Sequence, residues 1–425
     1  SDGSVTVLPE TGAARAAVAD AVGGGAARGG LFAHTIDREG GNFRSYRLAA
    51  KPAGGGSGGG GGGDVAFSAQ EVGASTFDPA LERIVSVAYP RRNEVVQSPS
   101  VTLGDDSLLL RYLNPHLCVV VTSATDESLA RAAEVEGIAR ALAGGTAREA
   151  KPLGATKPGE EAPAAATAAA IATPNLFVNL VDTVSGQVLY RASHLSAASS
   201  DVPVLVSENW VIYAFTNSKT RRTEVGVLSL HEGMIDKKGI TAFTAPEQEL
   251  TFSSFASSKP IVLSRTYTMT SAVTALGVST TQEGISMKQI LMATGEGGQL
   301  VSVDRRMLDP RRPTGEIKES EKKEGLHTYH PLIPVSTLRI PSYSQRIESV
   351  TSIASTAANV ESQSLVLAYG GPDLFFTRMS PSRGFDLLPE GFNRALLSVV
   401  VGGLCLLVAS VKKMSTKKMI ATNWA

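Results

Sequence analysis

Between Arg394 and Lys412 lie 17 residues, 395–411 (ALLSVVVGGLCLLVASV), without a charge. No other feature constrains the chain as much, because a charge-free run of this length is buried either in a bilayer or in a protein core. As a helix it measures about 26 Å at about 1.5 Å per residue, close to the roughly 27 Å hydrocarbon thickness of a thin bilayer such as that of the endoplasmic reticulum (ER). Core helices rarely lack every charge over four turns and then end in KKMSTKK, so the run reads as a transmembrane helix at 395–411 with a basic tail at 412–425. Lys412, Lys413, Lys417 and Lys418 set the topology. Lysine accumulates on the cytosolic side of a span, which places the tail in the cytosol and the bulk of the chain on the lumenal or extracellular side, a single-pass type I arrangement.

Within this helix Ser398, Gly402, Cys405 and Ala409 recur at spacings of four, three and four, so the small residues form one stripe. Such a stripe lets a second helix approach closely and is a candidate helix-packing face; the same spacing also arises by chance in a short window, and both readings stay open. Phe385, Leu387, Leu388 and Phe392 form a short interfacial lead-in that Pro389 and Gly391 interrupt. Charge is distributed to match: the chain holds 40 basic and 40 acidic residues, but 395–425 carries four lysines and no acid, leaving 36 basic against 40 acidic residues before it. That balance shows no footprint of nucleic-acid binding. Cys118 and Cys405 sit in a strand-like run and in the apolar helix, poor partners for a disulfide, and both read as packed free thiols. From Ser1 onward there is no charged segment followed by an apolar one, so a signal peptide is expected to have been removed or to lie outside this sequence.

The N-terminal part, 1–105, is variable and glycine-rich with some strand; 54–63 is nine glycines and a serine, expected to be a mobile loop. A second biased stretch at 127–174, rich in Ala, Gly, Pro and Glu, is expected as a surface insertion within a β region that runs over 106–388. Short runs of β-branched and aromatic residues bounded by turn signals fall at 84–88, 108–112, 117–122, 176–182, 187–191, 204–207, 210–215 and 224–230. A second series falls at 261–267, 273–278, 290–293, 300–303, 335–340, 347–353, 364–369 and 374–377. Some sixteen strands without a long soluble helix predict an all-β fold, a partial or complete β-propeller of quinoprotein-like blades, followed by the single C-terminal helix. The sharpest local sign is NLVDTVSGQVLYRA, where Asp182 and Gly186 punctuate a hairpin between two alternating strands; LMATGEGGQLVSVD repeats it loosely. Trp210 alternates with Ile212 and Ala214 and is expected in the core.

Catalytic patterns fail in turn. Gly55-Gly56-Ser57-Gly58-Gly59 matches a nucleophile elbow in form, but it lies inside polyglycine with no strand before it. The glycines at 295, 297 and 298 join two strands and read as a turn, not a phosphate loop. Of the six histidines only His327 and His330 are close, with no third ligand, and they read as a solvated loop. Asp105-Asp106 and Glu160-Glu161 lie in loop contexts. The doublets Arg91-Arg92, Arg221-Arg222, Arg305-Arg306 and Arg311-Arg312 read as turn or interface charges, with 311–313 either a docking loop or a rigid exit from the strand at 300–303. No catalytic, cofactor or metal residues are assigned, and no Asn-x-Ser/Thr acceptor occurs.

Four stretches carry a family resemblance: LLLRYLNPHLCVVVTS (108–123), SENWVIYAFTNSKTRRTEVGVLSLHEG (207–233), MLDPRRP (307–313) and LVLAYGGPDLFFTRMSPSRGFDLL (365–388). Together they resemble the C-terminal half of the family of subunit 1, the largest subunit, of the ER membrane protein complex. The likeness covers 108–425 and is interrupted at 127–173. It implies a non-enzymatic scaffold without cofactor, a lumenal propeller and one span in the ER membrane. Its implied partners are the other subunits of the complex, client membrane proteins of the tail-anchored and multipass kinds, and the lipid bilayer. Two other classes compete: a quinoprotein-like propeller oxidoreductase, and a single-pass receptor ectodomain.

Overall fold

The computed structural model describes residues 4–8, 11–23, 30–52, 65–131, 134, 174–198, 201–235, 252–255, 259–295, 297–382, 384–386 and 391–423. The glycine run at 54–63, nearly all of the insertion at 127–174, and Leu387 and Leu388 of the lead-in lie outside them. The chain divides into two compact units, Ser1–Pro381 and Ser382–Ala425.

Twenty strands among the described residues of the first unit form five antiparallel sheets. Strand β1 (Ser4–Val5) is followed by helix α1 (Gly12–Gly23) and then by β2 (Leu31–Asp37), β3 (Asn42–Pro52) and β4 (Val65–Thr76), giving the first sheet in the order β1-β4-β3-β2. Strand β5 (Glu82–Ala88) opens the second sheet, and the hairpin of β6 (Ser100–Thr102) and β7 (Leu108–Arg111) departs to the third. The second sheet is completed by β8 (Leu117–Ala124), β9 (Pro174–Asp182) and β10 (Val188–Leu195), in the order β10-β9-β8-β5. The third is built on β11 (Val204–Ser207), β12 (Trp210–Asn217), β13 (Arg222–Ile235) and β14 (Ile261–Met269). Strand β13 is long enough to pair beyond its hairpin with β12: Thr223 to His231 pair with β14, and His231 to Ile235 pair with β7 across a bulge. The fourth sheet is β15 (Val273–Val278), β16 (Gln289–Thr294) and β17 (Leu300–Asp304); the fifth is β18 (Ser352–Ala357), β19 (Ser364–Tyr369) and β20 (Phe375–Met379), with a short helix α2 (Glu319–Lys323) in the connection between them.

Side-chain alternation explains how the sheets stack. In β8, Cys118 and Val120 join Phe43, Ile84 and Val181 in the core between the first and second sheets. Leu117, Val119 and Val121 point the other way and pack with Val211, Tyr213, Leu228 and Leu230 of the third. Both faces of β8 are thus buried, and its LCVVV run is apolar throughout. The next interface sets Trp210, Ile212, Ala214, Val225 and Val227 against Val278, Ile290, Met292 and Val301, so Trp210 is a core residue, as its alternation predicts. The last sets Leu291, Ala293 and Leu300 against Ile353, Val366 and Ala368. First strands succeed one another, β5 beside β11, β11 beside β15 and β15 beside β18, which is the radial arrangement of propeller blades around an axis.

Three expectations are corrected. The run at 335–340 is a 3-10 turn at Thr337–Arg339, because Pro334 and Pro341 bracket it and neither can donate to a ladder. Most of 347–353 is turn, with Ser349 at φ 53°, and β18 begins only at Ser352. Cys405 is exposed, since no other element among the described residues covers its helix; Cys118 is fully buried, and burial pushes its thiol up to about 12. The first sheet also uses a segment too poor in large apolar residues to stand out: β2 alternates half-buried with exposed positions, and Ser45 of β3 is fully buried, donating its hydroxyl to the Thr183 carbonyl at 2.7 Å. Alanine-rich α1 was not anticipated either; its residues have high helix propensity, and Thr11 caps it through the Ala14 N–H.

The second unit holds helix α3 (Arg394–Asn423), capped by Asn393, whose side chain accepts from the Leu396 N–H at 3.0 Å. Its portion Arg394–Ile420 is long and apolar enough to cross a membrane.

Candidate functional site

A cavity of about 290 Å³ lined by charged side chains lies between the third and fourth sheets. Its floor begins at the β11–β12 hairpin, where Glu208 takes φ 52° and Asn209 locks the turn to β13: the Asn209 side-chain amide donates to the Leu230 carbonyl at 2.9 Å, and the Leu230 N–H returns to the Asn209 carbonyl at 2.8 Å. Glu208 is thereby held between cations from three elements. Arg111 at the end of β7 donates to it at 3.0 Å, Arg305 just after β17 at 2.5 Å, and Lys288 before β16 lies 3.0 Å away. Lys288 also meets Glu94 at 2.7 Å, and Glu94 accepts from the Ser207 hydroxyl and the Glu208 N–H. Arg305 further donates to the Asn209 side chain at 3.0 Å and lies 4.4 Å over the Trp210 ring. On the opposite wall Arg311 bridges Asp309 at 3.0 Å and Glu324 at 2.8 Å.

Burial alone would push the Glu208 carboxyl up, but Arg305, Lys288 and Arg111 together outweigh it and bring it down to about 2. His231, only 4% exposed, bonds Ser229 through Nε2 at 2.7 Å, while its Nδ1 makes no hydrogen bond of good geometry. Burial, reinforced by Arg311, brings His231 down to about 4, and burial alone does the same to His194, which contacts the Tyr213 hydroxyl at 2.6 Å. Both rings are neutral in the fold, and the unfolded chain takes up protons on them first as the solution is acidified. Stability is therefore expected to fall between pH 6.5 and 4, by on the order of 3 kcal/mol for the pair after allowing for screening at His231, whereas the Glu208 contribution is lost only below about pH 4.5. Urea unfolding at a series of pH values checks this, and a midpoint that stays flat from pH 7 to 4 contradicts it.

Arg305 and Arg311 stand out in the sequence as doublets, but Glu94, Arg111, Glu208, His231 and Lys288 do not; the only local sign is the run SENW at 207–210. The doublet 311–312 divides its tasks. Arg311 faces the cavity, whereas Arg312, only 4% exposed, turns inward and donates to the carbonyls of Met307 (2.6 Å), His327 (3.3 Å) and Thr328, which makes the segment a rigid exit from β17. Ser398, Gly402, Cys405 and Ala409 lie along α3, within about 60° of one another at about 100° per residue. A Cβ on Gly402 would meet no atom of this chain within 4 Å. Lys412, Lys413, Lys417 and Lys418 continue the same helix.

Four antiparallel sheets in radial succession with a fifth stacked on the first of them, and in the other unit one helix long enough to cross a bilayer, define a β-propeller protein with a candidate membrane span. Residues 2–142 and 155–382 match the family described as ER membrane protein complex subunit 1, second beta-propeller. The chain belongs to that family. Its relatives include proteins named ER membrane protein complex subunit 1 from Xenopus laevis, 30% identical over 93% of this chain and 33% of the relative, and from Gallus gallus, 28% identical over the same shares. The protein of that name from Saccharomyces cerevisiae is 22% identical over 80% of this chain and 39% of its own length. The chain thus spans about a third of the length of these relatives.

Proposed function

We propose that this chain is a non-enzymatic scaffold subunit of the ER membrane protein complex, holding other subunits through its propeller and the bilayer through α3, and so supporting insertion of tail-anchored and multipass membrane proteins. The observation that carries the reading is the family match over almost the whole of the propeller unit. The propeller is lumenal in this reading, because the lysines of α3 all follow its apolar stretch and retain that end in the cytosol. Neither the oxidoreductase nor the receptor reading draws a specific observation from the described residues.

The test is purification of the tagged full-length protein from ER membranes in mild detergent, counting each co-purifying chain. A fixed set of membrane subunits near one to one is expected; recovery of this protein alone would overturn the proposal. The stripe on α3 makes a narrower prediction. If Ser398, Gly402, Cys405 and Ala409 face a partner helix, Gly402→Leu reduces recovery of the other membrane subunits several-fold while the propeller unfolds at its usual denaturant concentration. Unchanged recovery would turn that stripe towards lipid.

A further inference from the structure

We propose that the cavity between the third and fourth sheets is a binding site for a small oxyanion, a phosphate or carboxylate group on a soluble molecule. Five cations line it, Arg111, Lys288, Arg305, Arg306 and Arg311, against three lining carboxylates, Glu208, Asp309 and Glu324, and Glu94 behind Lys288. A network built only to weld two sheets would leave no cation over, yet the pairing here is uneven. Glu208 holds three cations and Arg311 two carboxylates, while Arg306, exposed at the rim, makes no side-chain hydrogen bond or ion pair among the described residues.

A second observation points the same way. His231 lines the cavity, is 96% buried and makes no hydrogen bond of good geometry through Nδ1, the ring having only a weak backbone contact to Leu110 besides its bond to Ser229. The cations act on the residues themselves: after burial, Arg311 and Arg111 disfavour a proton on His231 while Asp309 favours it, and Arg305 and Arg311 disfavour the charge on Arg111 while Glu208 favours it. A bound anion would relieve this crowding and accept from Arg306.

The walls are set in advance. Glu361, from the loop between β18 and β19, accepts from the N–H groups of Glu283, Ile285 and Ser286 at 2.7, 2.8 and 3.1 Å and fixes the loop that carries Ile285. Leu109, Ile285 and Leu326 give the cavity an apolar side, fitting an anion with a short carbon skeleton. Its volume of about 290 Å³ is near the lower end of small-molecule sites, which run from about 300 to 1,000 Å³.

The experiment is thermal unfolding of the purified full-length protein with increasing inorganic phosphate or, separately, succinate, at ionic strength held constant with sodium chloride. A saturable rise of the midpoint with phosphate alone identifies a phosphate-bearing ligand, and with succinate alone a carboxylate-bearing one. In either case Arg306→Glu is expected to raise the half-saturating concentration about tenfold or more, as loss of a charge-assisted contact requires, and to leave the anion-free midpoint unchanged because Arg306 is exposed and unbonded. No rise with either anion, or the same rise in Arg306→Glu, overturns the proposal and leaves the cluster as a weld between sheets.

Discussion

Glu208→Ala is expected to destabilise the propeller unit by about 3–5 kcal/mol, a large fraction of the stability of most domains. The cost comes less from the pairs that are lost than from the cations left behind. Arg111, Lys288 and Arg305 have side chains only 19%, 8% and 16% exposed, and without Glu208 they face one another with little solvent contact to screen them. Glu94 can answer for Lys288 alone. This predicts its own control: Glu208→Ala combined with Arg111→Met removes one stranded charge, since Arg111 pairs only with Glu208 among the described residues, and recovers part of the loss, whereas a simple sum of independent contacts would make the double variant worse. Denaturant unfolding of the three proteins distinguishes the two outcomes.

Arg312→Ala is expected to cost a similar amount, about 3–5 kcal/mol, and Arg312→Lys to recover little of it. The guanidinium reaches three carbonyls, Met307, His327 and Thr328, and lies 5.7 Å from the Tyr267 ring centre. A carbonyl left without a donor away from water costs about 1–3 kcal/mol, which applies most to half-buried Met307; the rest of the cost is the lost packing of the buried guanidinium, and an ammonium is a point charge that cannot span such a fork. The adjacent Arg311→Ala provides the comparison. Its side chain is 21% exposed and its two carboxylates only 11% each, so its loss strands Asp309 and Glu324 and is expected to be partly relieved by adding Asp309→Asn, whereas the loss at Arg312→Ala is not. The same response to Asp309→Asn at 311 and 312 would contradict the division of labour between them.

Features carried by local chemistry are legible in the sequence. The hairpin in NLVDTVSGQVLYRA forms as its residues require: β9 ends at Asp182, whose carboxylate accepts from the Val184 and Ser185 N–H groups at 2.9 and 2.8 Å, and Gly186 takes φ 69°. Its loose repeat does likewise, with Gly298 at φ 57° between β16 and β17. The apolar stretch of α3 needed only counting. The first sheet was not legible as a sheet, because the face that buries Phe43 also carries half-buried His34 and fully buried Ser45, which interrupt the hydrophobic period. The charged cavity could not be read either, since Glu94, Arg111, Glu208, Lys288 and Glu324 are each ordinary surface residue types until five segments of the chain converge. A lone carboxylate in a turn gives no sign that three cations will meet it.

The account rests most heavily on the propeller facing the ER lumen, and one substitution tests that. Ser218→Asn places an acceptor amide two residues before Thr220 in the exposed β12–β13 turn, completing an Asn-Lys-Thr glycosylation site where the sequence has none. Ser218 gives up only one hydroxyl contact, to the Ser196 carbonyl, so folding should be retained. Expressed at full length in cells, the variant is predicted to gain one glycan, seen as an upward gel shift that an endoglycosidase removes. An unshifted variant whose propeller is digested by protease added to intact ER vesicles would place this unit in the cytosol and contradict the account.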